Sequence, residues 1–340
     1  MIPYALPFRQ PYVTSRGSLT RREMVLLRIW TETGAAGLGE AVPLSLRGGT
    51  GLSEVAGELE AWGRGATGES AETPPRSAPA RAAVAMALAD AEGREREIPL
   101  HELLAPGAVP RPVPCNATLT TDTPERVLEQ ARSWAAAGFS VFKLKLGSSD
   151  DIAQVEAVRS GLGDEAAIRL DANGSWDLDE ALEILTSLES LGIELAEQPV
   201  GDLDSMAALR ARTGVTIVAD ESVSTPEEAE RAAAAGACDA VTVKLSKIGS
   251  LDATLGGHLP TYLSSALDGP VGIAAAAHVA QTLPRTGRWG VISHGLATER
   301  LFSATIAEQG PLLRGSMLPV PDGNGLGITI DEAALRAHRL

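Results

Sequence analysis

Five ionisable side chains recur at nearly constant intervals, and each lies at the end of a short apolar run. They are Lys145 in VFKLKLG, Asp171 in AAIRLDAN, Glu197 in IELAEQP, Asp220 in TIVADES and Lys244 in AVTVKLSK, separated by 26, 26, 23 and 24 residues. One strand plus one helix of a parallel α/β barrel fits this interval, and the carboxyl ends of such strands converge on one mouth. The pattern predicts three carboxylates flanked by lysines at that mouth.

The three carboxylates, Asp171, Glu197 and Asp220, predict a metal site for Mg²⁺, with Mn²⁺ as the alternative occupant. Mg²⁺ takes oxygen ligands in an octahedron and keeps positions open for water or substrate. Zinc is disfavoured because neither cysteine nor histidine occupies these positions.

Two lysines, Lys143 and Lys145, alternate along one strand, so both side chains should point into the barrel. Ammonium groups this close, beside a metal ion, disfavour each other's protonation, which would let one of them act as a base. Lys244 should face the pair across the cavity. The set predicts removal of a proton next to a carboxylate, with the metal stabilising the negative charge that develops. A purely structural ion network is the alternative, because buried charges usually occur in pairs.

Alternating strands and helices must position these groups. Between about Val113 and Ser293, apolar β-branched runs alternate with helical segments, which is typical of a parallel α/β sheet or barrel. Asp177 with Glu180, and Thr225 with Glu228, predict capped helix starts. Residues 1–105 are predicted to form a separate α+β capping domain, completed by about 318–340. Residues 106–317 are then the barrel domain that carries the metal and the catalytic lysines.

The composition excludes several classes of binding partner. The chain of 340 residues has a formal net charge of −15, which disfavours nucleic acid and anionic membranes. Two cysteines are not a disulfide framework, and no apolar run approaches the roughly 18 residues of a membrane span. A cytoplasmic enzyme acting on a small-molecule carboxylate is therefore expected. The oligomeric state stays open, a homo-oligomer included.

The motifs K-L-K, D-A-N, E-Q-P, D-E-S and V-K-L-S-K, in this order, resemble the muconate-lactonizing-enzyme subgroup of the enolase superfamily. GLGEAVPL, residues 37–44, resembles its capping lobe. The resemblance implies a modified (β/α)7β TIM-like barrel with an N-terminal α+β capping domain. It also implies Lys145 as the base, Lys143 as the group that tunes it, and Lys244 as a cation over the opposite face of the substrate.

Within the subgroup, residues 264–284 and 294–302 resemble o-succinylbenzoate synthases, as does Arg169. The resemblance implies dehydration of 2-succinyl-6-hydroxy-2,4-cyclohexadiene-1-carboxylate to o-succinylbenzoate on the menaquinone pathway. It further implies a set of substrate-binding residues: Ser264, Ser265, Asn173, Arg169, Gly295 and, from the capping lobe, Arg16.

Other activities of the subgroup stay open. The stretch GEAVPLSLRGGTG resembles the epimerase and cycloisomerase branches more than the synthases. Dipeptide epimerases usually carry Asp-x-Asp at the last barrel strand, where this chain has Ser293-His294-Gly295-Leu296. N-succinylamino-acid racemase, dipeptide epimerase and a muconate-cycloisomerase-like activity are the alternatives. A non-catalytic barrel that binds a metal or metabolite is the alternative of another class, although a sensor would not need the lysines.

Overall fold

The capping domain is built on a three-stranded antiparallel sheet. A computed structural model describes residues 1–14, 17–44, 49–66, 73–310 and 312–340. The sheet has the order β1-β2-β3, with β1 at Ile2–Thr14, β2 at Gly17–Trp30 and β3 at Ala36–Ala41. Three helices follow, α1 at Leu52–Ala66, α2 at Ala78–Glu95 and α3 at Leu100–Leu104.

Side-chain alternation along β2 divides the core of the capping domain. Val25 and Leu27 pack with residues of α1 and α2, whereas Met24 and Leu26 belong to the large apolar core shared with the barrel. Successive side chains of a strand point to opposite faces. One face of β2 is therefore directed at the barrel.

Seven parallel strands form most of the barrel, in the order β11-β10-β9-β8-β7-β6-β5. The strands are β5 at Ala117–Leu119, β6 at Val141–Lys145, β7 at Ala167–Asp171, β8 at Ile193–Glu197, β9 at Ile217–Ala219, β10 at Ala240–Val243 and β11 at Thr261–Leu263. The helices that follow them in turn are α4 at Pro124–Ala136, α5 at Asp151–Leu162, α6 at Leu178–Leu188, α7 at Leu203–Arg210, α8 at Pro226–Ala234, α9 at Leu245–Ile248 and α10 at Pro270–Val279.

A short closing segment, residues 293–295, completes the barrel. The amide of Gly295 donates to the carbonyl of Leu263 at 2.8 Å, which joins the segment to the end of β11. The amide of Asn116 donates to the carbonyl of His294 at 2.9 Å, which joins it to the start of β5. The segment acts as an eighth strand, and the predicted (β/α)7β barrel with its α+β cap is confirmed.

The remaining elements connect the ends of the chain. β4 at Val113–Pro114 pairs with β12 at Met317–Leu318, and α11 and α12 lie at Gly287–Gly290 and Glu332–Ala337. The amide of Leu340 donates to the carbonyl of Pro3 at 3.1 Å, so the C-terminal segment packs on the first sheet. The exact division into domains stays a prediction. Among the described helices, none has the length and apolar character that crossing a membrane requires.

Two predicted helix starts are confirmed at atomic detail. The Asp177 carboxylate accepts a hydrogen bond from the amide of Glu180 at 2.8 Å, at the start of α6. The Thr225 hydroxyl accepts one from the amide of Glu228 at 3.2 Å, at the start of α8. Each side chain satisfies a helix amide that would otherwise lack an intrahelical partner.

Glu40 joins the cap to the barrel. Its carboxylate accepts hydrogen bonds from the Tyr4 hydroxyl at 2.7 Å and from the amide of Gly269, before α10, at 2.6 Å. The side chain is fully buried. Burial raises the pKa of Glu40 to about 7 and the nearby Asp268 adds to the rise, while the donors oppose it.

This raised pKa predicts a pH-dependent stability that Glu40→Gln removes. The folded state keeps the proton up to about pH 7, whereas the unfolded chain loses it near the ordinary value of 4.5. The folded state therefore binds more protons between these values, and its stability falls as pH rises through them, by about 3 kcal/mol for this group. Urea unfolding of wild type and Glu40→Gln at pH 4.5, 6 and 7.5 measures the difference. Parallel pH profiles for the two proteins would contradict the prediction.

Candidate active site

The three predicted metal carboxylates lie side by side at the barrel mouth. Asp171 ends β7, Glu197 ends β8, and Asp220 directly follows β9. All three are at most 1% exposed. Because parallel strands present their carboxyl ends at one face, neighbouring strands bring together residues that are more than 20 positions apart in sequence.

The two lysines of β6 reach these carboxylates. Nζ of Lys143 lies 2.8 Å from Asp171 Oδ2 and 2.6 Å from Glu197 Oε1, so one ammonium group bridges two carboxylates. Nζ of Lys145 lies 2.5 Å from Asp171 Oδ2 and donates to Asn173 Oδ1 at 3.2 Å. The predicted shared face of Lys143 and Lys145 is present in the structure.

Two further lysines hold Asp220. The ammonium group of Lys244, which follows β10, pairs with Asp220 Oδ2. Nζ of Lys247, on α9, lies 3.0 Å from Asp220 Oδ1 and donates to the carbonyl of Val223 at 2.8 Å. The sequence contains only four lysines, and all of them are buried at this mouth. Because lysine is so rare in this sequence, Lys247 could have been recognised as a candidate site residue from the sequence.

The ion pairs keep the lysines of β6 charged. Burial lowers the pKa of Lys143 and of Lys145, but Asp171 and the other anionic neighbours together outweigh it, so both pKa values lie above the ordinary lysine value. Burial likewise opposes ionisation of Asp171, yet Lys143 and Lys145 hold its pKa well below the usual range. In this lysine–carboxylate arrangement attraction to the carboxylates exceeds the repulsion between the two lysines, and the shift toward neutrality expected beside a metal ion stays a prediction.

A cavity with an empty volume of about 700 Å³ opens above these groups. Lys143, Lys145 and Lys244 line it, and the barrel strands β6 and β10 that carry them are four positions apart among eight. The lysine pair and Lys244 therefore approach the cavity from opposite sides. Four predicted substrate-binding residues also line it: Ser264, Ser265, Asn173 and Gly295. Of the two other predicted residues, Arg16 lies outside the described part of the chain.

Arg169 is placed differently from the prediction that it binds substrate. Its side chain is 1% exposed and is not among the residues that line the cavity. Its guanidinium donates to Glu194 Oε2 at 2.6 Å and to the carbonyl of Ser293 at 2.6 Å. Asp171 lies two residues further along β7, toward the mouth. Arg169 is therefore a support beneath the site that ties β7 and β8 to the closing segment, and the predicted substrate contact is corrected accordingly.

Comparison with protein families decides the classification. A family described as "Enolase C-terminal domain-like" matches residues 126–334. A second, "Mandelate racemase / muconate lactonizing enzyme, N-terminal domain", matches residues 2–105. The chain belongs to the muconate-lactonizing-enzyme subgroup of the enolase superfamily. It is an enolase-superfamily enzyme, as the strand-end motifs predicted.

Similar proteins of the superfamily carry different activities. The chain is 36% identical over 228 residues to an o-succinylbenzoate synthase of Thermobifida fusca, covering 64% of this chain and 70% of that protein. A muconate lactonizing enzyme of Pseudomonas fluorescens, complexed with muconolactone, has a TM-score of 0.88 at 27% identity, covering 100% of this chain and 97% of that one. A dipeptide epimerase of Enterococcus faecalis, complexed with Mg and a dipeptide, has a TM-score of 0.87 at 25% identity, covering 96% and 97%.

The donors of this superfamily site fit Mg²⁺ in chemistry. All are carboxylate oxygens, and the bridging Lys143 shows that one cation reaches both Asp171 and Glu197. In this arrangement Asp171, Glu197 and Asp220 are paired with lysines. No three acidic, histidine or cysteine side chains in the described part of the chain lie close enough together to hold a metal ion. Asp171, Glu197 and Asp220 are the residues that would hold Mg²⁺.

Tyr262, on β11, orients one of these carboxylates and was missed by the sequence analysis. Its hydroxyl donates to Glu197 Oε2 at 3.0 Å, while the other oxygen of Glu197 accepts from Lys143. Burial and the charge of Glu197 raise the pKa of Tyr262, so the hydroxyl keeps its proton. Because Oε2 of Glu197 accepts this hydrogen bond, Oε1 of Glu197 is the oxygen that remains directed toward the other metal ligands.

Removing this hydroxyl should weaken metal binding. We expect Tyr262→Phe to raise the Kd for Mg²⁺ about 10-fold to 100-fold, because partners that orient a metal ligand contribute to affinity on that scale. Isothermal titration calorimetry with Mg²⁺ measures the change. Tyr4→Phe is the matched control, since its hydroxyl donates to Glu40 instead. Equal Mg²⁺ affinity in wild type and Tyr262→Phe would contradict the assigned role.

His294, at the barrel strand end, is a packing residue. Its Nδ1 accepts a hydrogen bond from the amide of Leu263 at 2.9 Å, which requires that nitrogen to be unprotonated. Burial and the neighbouring Arg169 lower the pKa of His294 to about 3. A neutral His294 therefore helps to hold the closing segment against β11.

Proposed function

We propose that this enzyme dehydrates 2-succinyl-6-hydroxy-2,4-cyclohexadiene-1-carboxylate to o-succinylbenzoate, with Mg²⁺ as cofactor. The observation that carries the proposal is the placement of Lys145 and Lys244 on opposite sides of one cavity, above three buried carboxylates. The lysine on one side can remove a proton from the carbon next to a carboxylate, and the lysine on the other side faces the negative charge that develops on the substrate. The product is the aromatic acid used in menaquinone biosynthesis.

The choice of substrate is supported by similarity and by the character of the cavity. Of the relatives described above, the o-succinylbenzoate synthase has the highest identity, at 36%. Ser264, Ser265 and Gly295, in the segments that resemble such synthases, line the cavity. Among its described lining residues there are four cationic side chains and no carboxylate, which favours an anionic substrate.

The proposed mechanism assigns both proton transfers to one lysine. Mg²⁺, when bound, would stabilise the negative charge that develops on the substrate carboxylate. Lys145, as the neutral amine, takes the proton from the adjacent carbon, and the bonding electrons move into the carboxylate. The same lysine, now an ammonium, returns this proton to the departing hydroxyl, which leaves as water as the ring becomes aromatic. Lys143 tunes Lys145, and Lys244 provides a positive charge over the opposite face of the ring.

Epimerisation is the second candidate, and one observation favours it. With lysines on two sides, a proton could leave one face of an amino-acid carbon and return to the other. The E. faecalis dipeptide epimerase superimposes on 96% of this chain. The same acid and base groups would then serve an acylated amino acid or a dipeptide.

Proton NMR in D₂O distinguishes these functions. The Mg²⁺-loaded protein is incubated separately with the cyclohexadiene carboxylate, an N-succinylamino acid and a dipeptide. We expect rapid appearance of aromatic product signals from the first, with a kcat/KM well above that for either amino-acid substrate. Deuterium incorporation at the α-carbon of an amino-acid substrate, without dehydration of the cyclohexadiene, would overturn the proposal and favour racemisation or epimerisation.

A further inference from the structure

We propose that Arg22, on the capping domain, binds a second carboxylate of the substrate, at a distance from the carboxylate that undergoes chemistry. Arg22 lines the same cavity as Lys145 and Lys244 but comes from β2, outside the barrel. The inference rests on the proposed function and adds a specificity-determining residue to it. The ligand class is a dicarboxylate in which an apolar linker separates the two acids.

Strand alternation directs Arg22 at the cavity. It shares the face of β2 that carries Met24 and Leu26, both of which pack in the core common to cap and barrel. Its side chain is 5% exposed, and Nη2 donates to the carbonyl of Pro43 at 2.5 Å. The Pro43 contact fixes one end of the group beside the cavity.

The charges of the lining residues indicate what Arg22 recognises. Each of the three lining lysines contacts a carboxylate of the metal set: Lys143 and Lys145 contact Asp171, and Lys244 contacts Asp220. The reacting end of the substrate belongs there. Arg22 is the cation that the described part of the cap adds to the lining. A guanidinium can bind a carboxylate through two parallel hydrogen bonds, which is the geometry a succinyl terminus offers.

Apolar side chains that could pack on the linker between the two acids also line the cavity. Tyr12 and Leu44, from the cap, line the cavity beside Arg22, and Ala266 and Leu267 line it from the barrel. The ring carboxylate of the substrate would lie at the metal site of the barrel, and its succinyl carboxylate would lie at Arg22. Both charged ends of the cavity would then be occupied.

Calorimetry with a matched pair of ligands tests this assignment without requiring turnover. The ligands are o-succinylbenzoate and 2-butanoylbenzoate, in which a methyl group replaces the distal carboxylate. The Mg²⁺-loaded proteins are wild type, Arg22→Met, Arg22→Lys and, as a control on the same strand, Arg21→Met. Arg21 is exposed and pairs with Glu23. Mg²⁺ affinity of each variant reports whether the barrel site is intact.

We expect wild type and Arg21→Met to bind o-succinylbenzoate at least about 30-fold more tightly than 2-butanoylbenzoate, the scale of a desolvated charge-assisted pair. Arg22→Met should lose this preference through weaker binding of the diacid alone, and Arg22→Lys should retain part of it. Equal weakening of both ligands, or an unchanged preference in Arg22→Met, would overturn the inference. This experiment measures binding and not turnover. If the enzyme did not dehydrate the cyclohexadiene carboxylate, the proposed function would be refuted, but calorimetry would still decide the role of Arg22.

Discussion

Replacing Lys145 by alanine is expected to lower kcat for dehydration by at least about 10³-fold, because the variant lacks both the base and the acid of the proposed reaction. The loss should appear in kcat more than in KM, since Ser264, Ser265 and Gly295 would still line the cavity. Steady-state loss of the cyclohexadiene absorbance, at saturating Mg²⁺, measures it.

The chain offers an unusually direct control for this variant. Since it has only four lysines, selective ¹⁵N labelling of lysine gives three remaining side-chain signals in Lys145→Ala. Their persistence, together with unchanged Mg²⁺ affinity, would show that Lys143, Lys244 and Lys247 keep their surroundings. A Lys145→Ala protein that dehydrates the substrate at more than a tenth of the wild-type rate would rule out Lys145 as the base.

Glu197→Gln should cause the second large loss, by acting on the metal. The substitution keeps the shape of the side chain but removes one of three anionic ligands, and it leaves Lys143 with Asp171 as its remaining carboxylate contact in the described structure. We expect the Kd for Mg²⁺ to rise about 100-fold and kcat/KM to fall about 10³-fold. Calorimetry and steady-state kinetics measure the two effects.

Glu183→Gln is the matched control, because it changes the net charge equally on the exposed surface of α6. It should leave both quantities within experimental error. An unchanged Kd for Mg²⁺ in Glu197→Gln would show that Mg²⁺ binds through other residues.

The ends of the barrel strands could be predicted because their physical signature is local. An ionisable residue such as Asp171 or Lys244 at the end of a short apolar run has few structural reasons to be there. Repetition at the pitch of a strand plus helix then places all such residues at one mouth. The helix starts at Asp177 and Thr225 were predictable for the same reason, since capping involves residues three apart.

Contacts between distant segments were beyond the local pattern. Tyr262 and Glu197 are 65 residues apart, and nothing in the run TYL distinguishes a hydroxyl that orients a carboxylate from one that packs in a core. Arg169 entered the substrate-binding set by resemblance alone, and its place beneath the mouth depends on contacts with Glu194 and Ser293 in other segments of the chain. Arg22 could have been noticed as a charge on the apolar face of β2, although its proximity to the barrel depends on how the cap docks.

The charge state of the lysines depends on neighbours that the strand sequence does not contain. Proximity of Lys143 to Lys145 beside a metal ion predicts a lowered pKa, whereas in the lysine–carboxylate arrangement Asp171 and the other anionic neighbours together outweigh both burial and mutual repulsion. Sequence gives the identity of neighbouring charges along a strand. Their balance depends on distances across strands, which only the structure provides.

The most direct measurement of the central claim is Mg²⁺-dependent formation of o-succinylbenzoate by the purified protein. Protein stripped with a chelator is mixed with the cyclohexadiene carboxylate, and proton NMR follows the reaction before and after Mg²⁺ is added. We predict no aromatic product above the uncatalysed rate before addition and rapid, complete conversion after it. Absence of aromatic product from protein that calorimetry shows to be loaded with Mg²⁺ would contradict the account.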